Sequence, residues 1–207
     1  MSNETPKHLN LSAEIAEQPI GREVTIEHLD TKLDLTYNWG YEKARQDLRD
    51  LYKKAQRSQW QPDATLPWQL SVDLEHPHYP EELFPLYGSD IYAKMSEKMK
   101  TQLGVEMFSW ILSQFLHGEQ GALLAASQLV TSVPDMDSKY YASTQVFDEG
   151  RHVEVYDRYL HEKIGFSYPI SPYLKKLLDL ILTDSRWDMK PSACRSWSRG
   201  SRWRRSA

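Results

Sequence analysis

Two acidic residues and one histidine are the side chains in this sequence whose types and spacing could bind a metal. Glu149 and His152 form a Glu-x-x-His, and Glu119 lies 30 positions before Glu149. Glu and His three apart on a helix project from the same face. Glu119 lies 15 residues before Pro134 and Glu149 lies 15 after it. In an antiparallel helical hairpin rising about 1.5 Å per residue, the two carboxylates would therefore face each other at one height.

Two buried carboxylates at one height repel each other and are costly to desolvate, and a divalent cation offsets both penalties. The spacing therefore predicts a metal site of Glu119, Glu149 and His152. The competing interpretation is that both glutamates lie on the surface and that His152 is an ordinary helical histidine, because a lone Glu-x-x-His is common. The matched heights and the apolar residues around the glutamates favour metal.

The elements that must position these residues are predicted to be helices. Residues 40–59, 138–163 and 171–182 each show a helical apolar pattern, and so does 91–133, where Gly104 suggests a break between two helices. Residues 61–90 hold five prolines and are expected to form an irregular ordered loop with a short helix at 81–86. No strand pattern stands out. The predicted fold is all-α, with a lead segment (1–36), a helical domain (37–190) and a tail (191–207).

Composition limits the class of protein. The 207 residues are 40% hydrophobic and 26% charged, as in ordinary globular domains. Residues 1–21 are polar and do not resemble a signal peptide. A membrane span is not expected, because no uncharged apolar run reaches 18 residues. The single cysteine, Cys194, excludes an intrachain disulfide and fits a reducing cytoplasm.

The stretches around the candidate ligands resemble a known family. Phe115 to Ala122 reads FLHGEQGA and Gln145 to His152 reads QVFDEGRH. Together they look like the first two ligand helices of the ferritin-like di-iron carboxylate superfamily, in the branch of the ribonucleotide reductase small subunit and its oxidase and oxygenase relatives. The specific similarity covers about residues 108–160.

The resemblance implies that Glu119 and Glu149 are iron carboxylates and that His152 is an imidazole ligand. Intact relatives bind two irons, or manganese in some cases, and use dioxygen to oxidise an organic substrate or a tyrosine. Tyr156 stands seven after Glu149, where many reductase small subunits hold the radical tyrosine, although packing in the core is the commoner role for a tyrosine. His117 is expected to be a surface or packing residue. His76 and His78 are expected to be loop residues, and Glu106, Glu154 and Glu162 are expected to be solvated.

Three ligands are half of the six that the family uses, so the bundle is expected to be incomplete at the C-terminus. Residues 191–207 carry five arginines and no acid, whereas residues 1–190 have a net charge of −9. If the reading frame is shifted by one base and serines are TCN codons, every Ser, Cys and Trp of 192–206 becomes apolar. The tail is therefore interpreted as out of frame. The alternative is a genuine basic tail that binds nucleic acid or membrane.

Three functions follow from these alternatives. The first is a truncated di-iron oxidoreductase with impaired metal binding, whose intact relatives take an organic substrate and dioxygen. The second is a non-catalytic helical protein that binds a partner, which could be a second copy in a homodimer, through an uncovered apolar face. The third, and least favoured, is a nucleic-acid binder that uses the tail.

Overall fold

Helices make up all the regular structure of the described residues. The computed structural model describes residues 26–75 and 80–190, and no strand occurs among them. This confirms the predicted all-α fold, and the arrangement is consistent with a ferritin-like bundle. In chain order the elements are α1 (Gln46–Arg57), α2 (Pro62–Thr65), a 3₁₀ turn (Glu81–Leu83), α3 (Asp90–Ala93), α4 (Glu97–Ser132), α5 (Met136–Tyr159), a π turn (Leu160–Ile164) and α6 (Pro172–Thr183).

Three predictions concern residues outside this range. The loop histidines His76 and His78, most of the lead segment and the whole of the basic tail lie outside the described residues. Among the described helices, none combines the length and the apolar character needed to cross a membrane.

A long antiparallel hairpin of α4 and α5 is the centre of the fold. Side chains cap the start of each helix: Ser96 Oγ accepts from the Met99 amide at 3.3 Å, and Asp135 Oδ1 accepts from the Ser138 amide at 2.8 Å. Each such cap is worth about 1 kcal/mol. The connection at Pro134 is short, as predicted, so the two helices run side by side along most of their length.

Two predicted helix boundaries were wrong. The first helix begins at Gln46 rather than Gly40, because the Arg45 amide donates to Asp137 Oδ2 at 2.9 Å and is held outside the helix. The expected break at Gly104 is absent, since this glycine is buried inside the continuous helix α4. The break occurs earlier, between α3 and the cap at Ser96.

The segment before α1 follows the closed end of the hairpin. The Thr36 amide donates to the Thr131 carbonyl at 2.9 Å, and the Asn38 side chain donates to the Pro134 carbonyl at 2.9 Å. The buried Asp137 accepts from Arg49 Nε at 2.6 Å as well as from the Arg45 amide. These bonds attach α1 to α5.

The chain returns along α4 after a left-handed turn. Gly165 has φ +92°, a conformation that favours glycine, and its amide donates to the Leu160 carbonyl at 2.8 Å. Ser171 then caps α6 and Pro172 occupies its first turn, as predicted. Gly121 allows α6 to approach closely, because a Cβ there would lie only 2.4 Å from a Leu178 methyl group.

The apolar core lies toward the open end of the hairpin. Val105, Leu160 and Ile164 form a buried cluster. Half-buried apolar side chains pack against this cluster: Leu74, Phe108, Leu112, Leu116, Tyr159 and Phe166. The core therefore joins α4 to the π turn and to the segment that follows it.

Candidate metal centre

Glu119, Glu149 and His152 come together midway along the hairpin. Glu119 projects from α4, and Glu149 and His152 project from α5 one helical turn apart. His152 Nδ1 lies 3.0 Å from Glu149 Oε2 and 3.4 Å from Glu119 Oε2. One ligand atom of each residue lies within 4.8 Å of the other two, and among the described residues these three form a group that could hold a metal ion. The equal spacing from Pro134 thus places both carboxylates at one level.

The three side chains are shielded from solvent to different degrees. Glu119 and Glu149 keep 16% and 19% of their side-chain surface exposed, whereas His152 keeps 41%. The carboxylates are therefore largely desolvated while the imidazole can still be reached from outside.

Mutual contact changes the acidity of all three groups. Hydrogen bonds to Glu119 and then Glu149 raise the pKa of His152 to about 9. Burial raises the pKa of Glu149, and the neighbouring carboxylate of Glu119 adds to that rise. Burial acts on Glu119 in the same direction, but hydrogen bonds from His152 and Glu149 outweigh it and leave the pKa of Glu119 lowered. Without metal, a proton on His152 thus offsets the negative charge of the site.

The donor set fits a transition-metal ion. Carboxylate oxygens and an imidazole nitrogen are ligands that suit iron and related divalent ions. A cation at this point would replace the positive charge that the protonated imidazole otherwise supplies. The residues present therefore fit part of an iron site, with three ligands from the described chain.

Two residues that the sequence did not single out flank His152. The Trp60 ring stacks beside the imidazole, with centroids 6.4 Å apart and planes 28° from parallel. Arg151 is 6% exposed, and its Nη1 donates to the Trp60 carbonyl at 2.6 Å. Its guanidinium lies over the rings of Trp60 and Phe147 and pairs with Asp148. The sequence feature that could have pointed to Arg151 is its position directly before the proposed ligand His152.

Tyr156 lies on the ligand side of α5, one turn beyond His152. Its ring packs against Phe115, with centroids 5.9 Å apart. Burial raises the pKa of its phenol, and the negative charge of Glu119 raises it further. The phenol is therefore neutral and electrostatically linked to the site, while its catalytic role stays a prediction.

The remaining candidates lie away from the site. His117 Nε2 is 3.0 Å from the Tyr168 carbonyl, which agrees with packing, one of the two roles expected for it. Glu162 accepts from Arg158 at 2.8 Å, and Glu154 is exposed. Glu106 was expected to be solvated but is half-buried, because it accepts hydrogen bonds from Tyr168 and Gln102.

One family model matches the chain, and it covers residues 42–188. Its description is P-aminobenzoate N-oxygenase AurF. The chain belongs to this family. AurF proteins are ferritin-like di-iron oxygenases, so the match confirms the oxygenase branch of the resemblance seen in the sequence. Comparison with the curated proteins gives no match, and comparison with the solved structures gives none either.

Proposed function

We propose that this protein is a di-iron oxygenase of an organic substrate and that Glu119, Glu149 and His152 are iron ligands. The observation that carries the proposal is the convergence of the three side chains at one level of the hairpin, with Nδ1 of His152 at 3.0 and 3.4 Å from the two carboxylates. Membership of the AurF family supports iron as the metal. Residues 37–190 would form the ferritin-like domain, and the lone Cys194 suits a reducing cytoplasm.

Each residue has a defined part in the proposal. When bound, the iron would supply the redox centre and the site for dioxygen. Glu119 and Glu149 balance its charge in a place from which water is largely excluded. His152 must release its Nδ1 proton to bind, and Trp60 holds the imidazole plane from one side. Tyr156 is proposed as the catalytic tyrosine because its neutral phenol lies on the same face.

The family description suggests the first substrates to test. It names N-oxygenation of p-aminobenzoate, an aromatic amine. We infer that this chain takes small aromatic amines and converts the N–H group to N–OH. That conversion consumes one dioxygen, two electrons from an external reductant and two protons, with water as the second product. The reductant would be of the ferredoxin or reduced nicotinamide class.

Metal content is the direct test. The three ligands found among the described residues should by themselves bind iron more weakly than a complete six-ligand centre. Protein loaded anaerobically with ferrous iron should therefore hold metal at high iron concentration and lose it on extensive dialysis. Glu149→Ala should abolish this uptake, whereas Glu154→Ala, on the exposed side of the same helix, should not.

Manganese is the alternative metal, and a competition between the two ions measured by elemental analysis would decide between them. Equal iron uptake by wild type and by Glu149→Ala would show that the proposed residues are not the metal ligands. Metal uptake without conversion of any aromatic amine would support the proposed metal site but contradict the proposed substrate class.

A further inference from the structure

A row of large apolar side chains is exposed on the segment before α1. Leu35, Tyr37, Trp39 and Tyr41 keep 63%, 71%, 75% and 63% of their surface exposed. The Tyr37 and Trp39 rings stack on each other, with centroids 5.1 Å apart and planes 5° from parallel. Single exposed apolar residues are ordinary, but a contiguous row of them is typical of a contact surface. These four residues are called the apolar row below.

The same segment has an unpaired backbone edge. Thr36 and Asn38 are half-buried, so successive side chains alternate between the hairpin and solvent, as they do in an extended strand. The Thr36 amide points to the hairpin, where it donates to the Thr131 carbonyl, and the backbone groups of 35, 37 and 39 therefore lie along the opposite edge. Within the described ranges these groups make no hydrogen bond. An unpaired edge of this kind is a template for pairing with another strand.

The apolar row is held in place by the rest of the fold. The Asn38 side chain donates to the Pro134 carbonyl at 2.9 Å, and Glu27 pairs with Lys175 at 2.6 Å. A partner would therefore have little chain to immobilise, which lowers the entropic cost of association. The row lies at the closed end of the hairpin, about 22 Å along the helices from Glu119 and Glu149, so it is separate from the candidate metal centre.

We propose that two copies of this chain pair through residues 33–41 as antiparallel extended strands, around a two-fold axis at Tyr37. A two-fold interface uses the same patch on both copies, which a single strand paired with itself satisfies. In this register Tyr37 lies opposite Tyr37 of the second copy, and Leu35 lies opposite Trp39. Aromatic pairs and aromatic pairs with aliphatic residues stabilise adjacent strands.

Charge complementarity selects this register. Lys32 and Glu42 are both exposed, and with the axis at Tyr37 each lies opposite the other residue of the second copy. The two-fold axis repeats this pair, so the interface contains it twice. Moving the axis to Asn38 would instead place Asp34 opposite Glu42, and like charges directly opposite each other destabilise a strand pair.

The size of the interface sets the strength of pairing. Covering the exposed parts of the apolar row on both copies would remove about 1,000 Å² of surface from water. That area is at the lower limit for specific interfaces, so the dimer should be reversible and of micromolar affinity.

The mass of the full chain in solution is the first test. Light scattering after gel filtration should give the dimer mass at about 100 µM protein and approach the monomer mass at about 1 µM. The monomer mass is 24.2 kDa. Cobalt(II), which can replace ferrous iron without reacting with dioxygen, should leave the dimer unchanged, because the apolar row is remote from the proposed ligands.

A matched pair of variants tests the surface. Tyr37→Lys places two ammonium groups at the axis and should weaken the dimer about tenfold or more. Tyr173→Lys makes the same substitution at a tyrosine of α6 that is 87% exposed, and it should pair as wild type does. Both replaced side chains are largely exposed, so both variants should retain the helical circular dichroism of wild type.

Cysteine cross-linking tests the register. In a Cys194→Ser background, Tyr37→Cys should form a disulfide between copies, because directly opposite Cα atoms lie about 5.5 Å apart. Tyr41→Cys should form none, since the two copies of residue 41 would lie about 26 Å apart in this register.

Several outcomes would overturn the pairing. A wild-type chain that is monomeric at every concentration would do so, whether residues 1–25 cover the apolar row or leave it bare. A dimer that is equally strong in Tyr37→Lys, or one that forms only with cobalt, would also overturn it. Cross-linking of Tyr41→Cys in place of Tyr37→Cys would reject the register. These outcomes leave the proposed function intact, because the proposed ligands lie on α4 and α5.

Discussion

The guanidinium of Arg151 donates a hydrogen bond to the backbone carbonyl of Trp60 at 2.6 Å and lies 5.0 Å from the centre of its ring. The two residues are 91 positions apart, and Trp60 in turn stacks on His152. Arg151 thus fixes the residue that orients the proposed imidazole ligand. Groups that orient metal ligands commonly affect metal affinity about 10–100-fold.

Replacing Arg151 by lysine tests this orientation. A lysine retains the charge but cannot bond to the carbonyl and cover two rings at once. We expect Arg151→Lys to lower cobalt affinity about tenfold, measured by titration of the visible absorption bands. Arg158→Lys is the control, because Arg158 lies over the Trp68 ring on the same helix away from the site. A similar loss of affinity in the control would contradict the orienting role.

Asp137 should make stability depend on pH in acid. The hydrogen bond from the Arg45 amide, followed by that from Arg49, lowers the pKa of this buried carboxyl below its usual value. Its stabilising contribution is therefore complete above about pH 4 and is lost as pH falls through the lowered pKa. Asp137→Asn should lower the melting temperature at pH 7 and reduce the slope of melting temperature against pH below pH 4. An unchanged acid slope would show that other carboxyls dominate.

Two helical glycines should respond in opposite directions to alanine. A Cβ on Gly121 would meet both Leu178 methyl groups, at 2.4 and 2.8 Å, whereas a Cβ on Gly150 has nothing within 4 Å. Gly150→Ala should raise the free energy of unfolding by about 0.5–1 kcal/mol through helix propensity. Gly121→Ala should lower it by about 1–2 kcal/mol, because overpacking outweighs the same gain. Urea unfolding measures both, and Leu178→Ala combined with Gly121→Ala should cancel part of the overpacking.

Removing the hydroxyl of Tyr156 distinguishes a catalytic role of this residue from a packing role. Tyr156→Phe keeps the ring contact with Phe115 and should leave melting temperature and cobalt binding unchanged. If the phenol takes part in catalysis, as proposed, turnover of an aromatic amine should fall about tenfold or more. Tyr159→Phe, one turn further along α5 with its ring against Phe108, should retain turnover. Equal turnover in Tyr156→Phe would assign this residue to packing alone.

The pairing of Glu119 with Glu149 could be predicted because helix rise and a single short turn determine it. The start of α1 could not be predicted, because it depends on a bond from Arg45 to Asp137, 92 positions away. Gly104 was misleading for a related reason: glycine weakens an isolated helix, but here packing keeps the helix continuous. The contact of Trp60 with His152 also depends on tertiary structure and leaves no local pattern in the sequence.

The attachment of the segment before α1 to the closed end of the hairpin has a consequence for the order of folding. The bonds that hold this segment join residues 92 to 96 positions apart, as in Arg45 with Asp137 and Asn38 with Pro134. The hairpin itself needs only a short connection between adjacent helices, and closing long loops costs more entropy than closing short ones. The hairpin should therefore form first and the N-terminal segment should dock late. In native-state hydrogen exchange, the amides of Thr36 and Arg45 should open well before those in the middle of α4.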